Sequence, residues 1–320
     1  LKEYHLTQDI QSVIAPDASK NLVSEGVSSK SAQGLSNTQN ASYECVTTVE
    51  RLRYWIEKIK SAELTCIDTE TTGLEPLISE LVGISLATES GHGCYIPLAH
   101  STSEEQLNRE TTLELLRPWM ESDHHKKVGQ NLKFDWHILL NHGVTLRGIT
   151  HDTLLESYVV ESHKPHDMDT MALRHLGINT IKYEDVCGKG VKQITFDQVM
   201  LDQATRYAAE DADITLRLHE NFASIIASDS KLQFVYESIE IPTMRVLAIM
   251  ERNGILIDAE KLSGQSQVIG KKLLELEEQI YGLAGQRFNI QSPKQIGDIL
   301  FTVLQLPVIK KTPGGVPSTD

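Results

Sequence analysis

The stretch Thr65-Cys66-Ile67-Asp68-Thr69-Glu70-Thr71-Thr72-Gly73-Leu74 begins as an apolar strand and runs into polar residues and a glycine. Side chains alternate along a strand, so Asp68 and Glu70 project from the same face of a sheet. Two carboxylates held that close repel unless a cation lies between them. The pair therefore calls for a divalent metal, and two other stretches supply further ligands.

One is Val128-Gly129-Gln130-Asn131-Leu132-Lys133-Phe134-Asp135, where a short strand-like entry breaks at glycine. The spacing of Leu132, Trp136, Leu139 and Leu140 then predicts a helix that carries Asp135. The other is Tyr207-Ala208-Ala209-Glu210-Asp211-Ala212-Asp213, inside a long helical pattern. Tyr207 and Asp211 are one turn apart and share a face, whereas Asp213 does not and is left out of the site.

Asp68, Glu70, Asp135 and Asp211 are four oxygen donors from three separate elements, a set that suits two hard cations, Mg2+ or Mn2+. Two such ions stabilise the attacking and the leaving oxygen of an in-line displacement at phosphorus. One activates water, and the other balances charge on the departing 3′ oxygen. Tyr207 and Glu70 are placed to orient the water. The chemistry expected is phosphodiester hydrolysis.

These blocks, together with His166-Asp167-Met168-Asp169, resemble the exonuclease motifs of the DnaQ-like, or DEDD, superfamily in its tyrosine-bearing branch. Their context is closer still to the proofreading domain of the bacterial DNA polymerase I family, family A. Glu251-Arg252-Asn253-Gly254-Ile255 and Lys311-Thr312-Pro313-Gly314-Gly315-Val316-Pro317-Ser318-Thr319 resemble the opening of that family's polymerase domain. The resemblance covers residues from about 45 onward, and the order and spacing of the blocks carry it rather than any one motif.

The resemblance implies a 3′-5′ exonuclease in which Asp68, Glu70, Asp135 and Asp211 bind two metals and Tyr207 positions water. It implies an apolar grip on a frayed 3′ end by Leu74, Phe134 and Phe196, with Gln130 and Asn131 as polar contacts to the terminal nucleotide. Stacking of that kind tolerates any base. Core packing is an equally good use of Phe134 and Phe196. The family carries an arginine just before the His-Asp-Met-Asp block, where this chain has Lys164-Pro165, so no phosphate contact is assigned there.

A chain of 320 residues is long enough for two domains. Residues 1–42, rich in Ser, Asn, Gln and Ala from about position 15, read as a linker from a preceding domain, partly disordered. By the same resemblance, residues 43–228 are expected to be the exonuclease domain and 229–320 the start of a polymerase domain, with base and thumb helices but without the polymerase catalytic site. The first residue is Leu1, and the reading is of a fragment of a longer protein. Cys45, Cys66, Cys94 and Cys187 follow neither a disulfide nor a metal spacing, which fits a reducing cytoplasm with the nucleoid nearby. No membrane-length apolar run is present. His124, His125, His163 and His166 read as surface residues, because no second histidine set lies at zinc-binding spacing.

The net charge of −14 disfavours a polyanionic partner as a whole, yet a groove needs only local positive charge, and metals offset the site carboxylates. Arg287, Lys294, Lys310 and Lys311 outnumber Asp298 and Asp320 and give the carboxyl-terminal stretch the opposite sign, which suits a phosphate backbone and equally a solvated surface with scattered lysines. The partners expected are single-stranded 3′ ends and primer-template DNA, bound by a monomer.

Val49, Leu52, Trp55, Ile56 and Ile59 form a helical stripe. Strands are expected at 81–88 and 94–98, joined as a hairpin. Helices are expected near 104–121, 131–141, 152–161, 168–176 and 203–227, with mostly helix after 229. Gly188-Lys189-Gly190 reads as a turn leading to Phe196. Val268, Leu273, Leu274, Leu276 and Ile280 make a further long stripe. The class is α/β, a mixed sheet covered by helices, and the resemblance makes it ribonuclease H-like. Two other functions fit fewer of these features: a non-catalytic DNA-binding module, opposed by the four carboxylates, and a free-standing ribonuclease, opposed by the polymerase-like segment.

Overall fold

The strand that opens the reading lies inside a six-stranded sheet. A computed structural model describes residues 41–103 and 105–319, so the expected linker lies almost wholly outside the described residues. The sheet comprises β1 (Ser42–Cys45), β2 (Leu64–Thr71), β3 (Leu81–Glu89), β4 (His92–Pro97), β5 (Lys126–Gly129) and β6 (Ile149–Asp152). Their order across the sheet is β1-β4-β3-β2-β5-β6. β2 to β4 form an antiparallel meander, while β5 runs parallel to β2 and β6 parallel to β5. This is the mixed, ribonuclease H-like sheet.

Alternation along β2 separates two layers. Ile67 joins the larger core, which includes Leu52, Trp55 and Ile59 of α1 (Val49–Ser61), Leu116 and Trp119 of α2 (Arg109–Met120) and Ile138 of α3 (Leu132–Asn141). Cys66, on the opposite face, packs with Ala212 and Leu216 of α7 (Leu201–Ser228). The helical stripe at 49–59 and the helices expected at 131–141 and 203–227 thus form within a residue or two of their anticipated ends. α4 (Thr153–Glu161) starts where Asp152 accepts the N–H groups of Leu154 and Leu155. The helix expected at 168–176 begins as α5 (Met168–Met171) and widens to π geometry over Ala172–Leu176. α6 (Tyr183–Cys187) was not anticipated.

α7 approaches the sheet closely because its contact face is built of Ala204, Ala208, Ala209 and Ala212, all fully buried. At Gly93 of β4 an added Cβ would lie 2.8 Å from the carbonyl oxygen of Ala209. Backbone on both sides leaves nothing flexible to yield. Gly93→Ala is therefore expected to destabilise the protein by about 1–3 kcal/mol, read as a lower midpoint in urea unfolding. An unchanged midpoint would mean that α7 can lift off the sheet freely.

Asp213 anchors the same helix elsewhere. Fully buried, it accepts the Tyr43 hydroxyl at 2.8 Å, the Gly91 N–H at 2.7 Å and the Nε and Nη2 groups of Arg217. It ties α7 to the β1 edge and to the β3–β4 turn.

Residues up to Ile249 form one compact unit and those from Met250 a second. After α7 the chain continues through α8 (Ser230–Val235), a π turn at Tyr236–Glu240 and α9 (Ile241–Asn253). The second unit contains α10 (Ala259–Ala284) and α11 (Pro293–Gly297). The expected apolar stripe of α10 is present, but Val268, Leu273, Leu274 and Leu276 are exposed. At its carboxyl-terminal end Ala284 is buried, and Ile280, Leu283 and Ala284 line an apolar pocket with Phe288, Ile296 and Ile299. No helix among the described residues is long and apolar enough to cross a membrane.

Candidate active site

Asp68, Glu70, Asp135, Tyr207 and Asp211 line one cleft of about 700 Å³. β2 delivers Asp68 and Glu70 from the face turned toward α7. α7 delivers Tyr207 and Asp211 one turn apart. α3 delivers Asp135, whose Oδ1 accepts both the N–H and the hydroxyl of Thr69, at 2.8 and 2.6 Å. Thr69 thus turns the alternation of β2 to use, holding Asp135 beside the pair that flanks it.

The start of α3 is fixed from β6. Asp152 accepts the N–H of Asn131 at 3.1 Å and of Leu132 at 2.8 Å, which stabilises the left-handed conformation of Asn131 (φ 61°). Gly129 makes room for this entry, since a Cβ there would meet the Ile67 carbonyl at 2.7 Å.

The electrostatics are those of carboxylates without counter-charge. Burial pushes Asp68 up to about 7, against a weak pull from the Ser85 hydroxyl and the Thr69 backbone. Burial also raises Glu70 well above the carboxylate range, with Asp68, Asp211 and Asp135 adding to it. Asp135 and Asp211 are raised by burial and then by Asp68. Oδ1 of Asp211 is buried and has no hydrogen-bond partner. No lysine or arginine is among the described residues that line the cleft. Four crowded carboxylates, an orphaned oxygen and no basic side chain are what a cradle for hard divalent cations requires, and the donor set fits them.

Burial, then Asp211, Glu70 and Asp68, raise the Tyr207 phenol above its ordinary value. It stays protonated at neutral pH and can hydrogen-bond but not act as a base. Its ring rests on Phe196, centroids 5.7 Å apart, and on Tyr183 at 6.3 Å.

The expected DNA contacts divide. Leu74, 90 % exposed, stands at the cleft rim, and Phe134 and Asn131 line it. Gln130 lines it too, but its amide is engaged within the protein: it donates to the His166 carbonyl and accepts the Thr153 hydroxyl. Phe196 must be corrected. It is fully buried among Tyr95, Val199 and Ala208 and supports Tyr207 from below, so it offers no face to a ligand. The residues that reach the cleft from this segment are Tyr183, Gly190, Gln193, Ile194 and Thr195. No periodicity in the sequence marked these side chains.

At Lys164-Pro165 the structure places another guanidinium close by. Arg174 donates to the Pro165 carbonyl at 3.1 Å and to Glu161 at 2.8 Å. His166 is not a surface residue, because its ring lies against Tyr158 with centroids 3.7 Å apart and its Nδ1 pairs with the Ser157 hydroxyl. His151 and His219, far apart in sequence, meet at Glu156.

A family model described as 3′-5′ exonuclease matches residues 43–227, more than half of the chain. The chain belongs to the 3′-5′ exonuclease family. The family's match spans all five residues of the catalytic set, and a separate model, DNA polymerase family A, matches residues 259–320. DNA polymerase I of Pseudomonas aeruginosa is 47 % identical over 282 residues, covering 87 % of this chain and 31 % of that protein. DNA polymerase I of Rhizobium leguminosarum is 38 % identical over 301 residues, covering 88 % of this chain and 29 % of that protein. The chain thus spans about a third of the length of these curated relatives. In fold, it is similar to the POL domain of Pol1 from M. smegmatis in complex with DNA primer-template and dNTP. The TM-score is 0.69 at 24 % identity, over 87 % of this chain and 43 % of that one.

Proposed function

We propose that this exonuclease removes nucleotides from the 3′ end of DNA as the proofreading part of a DNA polymerase, using two divalent cations held by Asp68, Glu70, Asp135 and Asp211. The observation that carries the reading is the convergence of four carboxylates on a cleft whose described lining has no basic residue. When bound, two cations supply the Lewis acidity that activates water and steadies the departing 3′ oxygen. They also reconcile the net charge of −14 with a polyanionic substrate.

The chain's own groups divide the remaining work. Glu70, on the same face of the strand as Asp68, helps to orient the attacking water from its place in the cleft. Tyr207, held neutral, orients that water by hydrogen bonding. Leu74 and Phe134 hold the terminal base by apolar contact, which is indifferent to base identity. Asn131 supplies a polar contact at the rim. Frayed single-stranded 3′ ends and primer-template DNA are the natural substrates, and a cytoplasmic site beside the nucleoid follows from them.

The test is digestion of a 5′-labelled single-stranded DNA oligonucleotide in magnesium, beside an EDTA control and the same sequence in RNA. A ladder shortening from the 3′ end of DNA, absent in EDTA, supports the proposal. Preference for RNA would support a ribonuclease instead, since the 2′-hydroxyl is what separates the two polymers. An intact strand with folded protein would leave a DNA-holding module. Tyr207→Phe is expected to lower kcat about 10- to 100-fold with KM little changed, the loss of one transition-state hydrogen bond. A rise in KM alone would make the phenol a substrate contact.

A further inference from the structure

Glu156, near the start of α4, is fully buried, and the other groups of its environment come from β6 and α7. Its Oε1 receives His219 Nδ1 at 2.8 Å and His151 Nδ1 at 3.2 Å. The two imidazole rings lie 4.1 Å apart, inclined at 44°. Oε2 is buried without a hydrogen-bond partner. One ligand atom from each of the three residues lies within 4.8 Å of the others. None of the three lines the catalytic cleft. Along α7, His219 is eight residues beyond Asp211, about 12 Å at 1.5 Å per residue.

We propose that His151, Glu156 and His219 form a second metal site, selective for a transition-metal dication of the zinc type and separate from the reaction, that ties β6 to α4 and α7. Two imidazoles and one carboxylate favour zinc over magnesium, which takes oxygen ligands and keeps its water. Three protein ligands leave a fourth position for water, as in open zinc sites. Bonds of about 2.0–2.1 Å to a tetrahedral ion separate neighbouring ligand atoms by about 3.3 Å. The observed 2.8 and 3.2 Å therefore need to open by only a few tenths of an ångström. His151 is the exposed member, its side chain 31 % accessible, and it borders a crevice that Glu63, Lys126 and Glu220 also line. An ion can enter there, past a rim with more acidic than basic groups.

The surroundings serve such a site. The Tyr236 ring stacks parallel to His151 at 6.2 Å, and its hydroxyl accepts the Asp152 N–H at 2.9 Å. The ion would clamp β6 to α4 and α7. Asp152, next to His151, is the residue that holds the start of α3. The clamp thus supports the helix that bears Asp135 without touching the reaction.

The experiment uses the full 320-residue chain carrying Asp68→Asn and Asp211→Asn, so that the cleft carboxylates no longer compete for the ion. Zinc is titrated by equilibrium dialysis, and cobalt is titrated as a spectroscopic substitute. The expected result is one equivalent of zinc, a visible cobalt band of tetrahedral strength and a higher Tm with zinc present. His151→Gln and His219→Gln, added singly, are expected to weaken binding at least about 100-fold and to abolish the Tm rise. His151→Gln, at the exposed member, keeps the test valid if His219→Gln fails to fold. Absence of bound zinc in the parent, or retention of it in folded His151→Gln protein, would overturn the proposal and leave a hydrogen-bonded cluster. Exonuclease activity enters none of these readouts, so the site stands or falls apart from the catalytic reading.

Discussion

Asp68→Ala protein is expected to shorten a labelled DNA strand about 10⁴-fold more slowly than the parent at saturating magnesium, a loss of about 5.5 kcal/mol in transition-state stabilisation. The size follows from position. Asp68 stands on the central strand, and its charge is among the causes that raise Glu70, Asp135 and Asp211, which places it at the middle of the set. Removing it takes a ligand from the centre of the cradle rather than from its edge. Folding should not suffer. In the metal-free protein four carboxylates oppose one another, so deleting one relieves repulsion, and Tm in EDTA at pH 8 is expected to equal or exceed that of the parent. Single-turnover kinetics and thermal unfolding on the same preparation check both halves. A rate within tenfold of the parent, with Tm unchanged, would show that Asp68 is not a metal ligand.

Most of the fold and the acidic set were legible because local rules and tertiary packing agree there. Alternation along β2 puts Asp68 and Glu70 together, and helical periodicity does the same for Tyr207 and Asp211. Neither rule sees across elements. Asp135 meets the pair through Thr69, whose backbone and hydroxyl both turn to it, and no spacing announces that contact. Phe196 shows the converse failure. An aromatic beside a glycine turn reads equally as a ligand platform or as core, and only the placement of Tyr95 and Tyr207 over it decides for core. Gln130 faces the cleft, yet its amide serves Thr153 and His166, so facing a site and being available to it are separate properties. His151 and His219 lay hidden because zinc spacing rules describe ligands near one another in sequence, whereas a strand and a long helix bring these two to Glu156. On α10 the periodicity was read correctly as a helix, but periodicity names an apolar face without naming what covers it.

The same crowded carboxylates predict a pH-dependent response to magnesium. Asp68 lies at about 7 in the folded protein against an ordinary 3.8, and Glu70, Asp135 and Asp211 are also raised, chiefly by burial. Between the unfolded and folded values, the folded chain holds protons that the unfolded chain has released. Stability of the metal-free protein therefore falls as pH rises through that window. Asp68 alone, shifted by some three pH units, represents about 4 kcal/mol at full effect, or on the order of 10 °C in Tm for a domain of this size. Bound cations reverse the sign, since they require the ionised carboxylates and remove the repulsion. Magnesium should thus raise Tm strongly at pH 8 and hardly at pH 5, where protons occupy the same oxygens. Asp152, raised to about 6 by burial, adds a fall with pH that magnesium cannot correct. Asp68→Asn/Asp211→Asn protein should keep that part and lose most of the rest. Carboxylates held low by ion pairs, such as Glu44 by Arg51, titrate below this window, whereas His100, His125 and His142, lowered chiefly by burial, add a rise of stability with pH inside it that the parent and the Asp68→Asn/Asp211→Asn protein share. Thermal melts from pH 5 to 8, in EDTA and in magnesium, decide the matter. A metal-free Tm that falls with pH no more steeply than that of the Asp68→Asn/Asp211→Asn protein would mean that the four carboxylates ionise freely, and the metal cradle would lose its electrostatic basis.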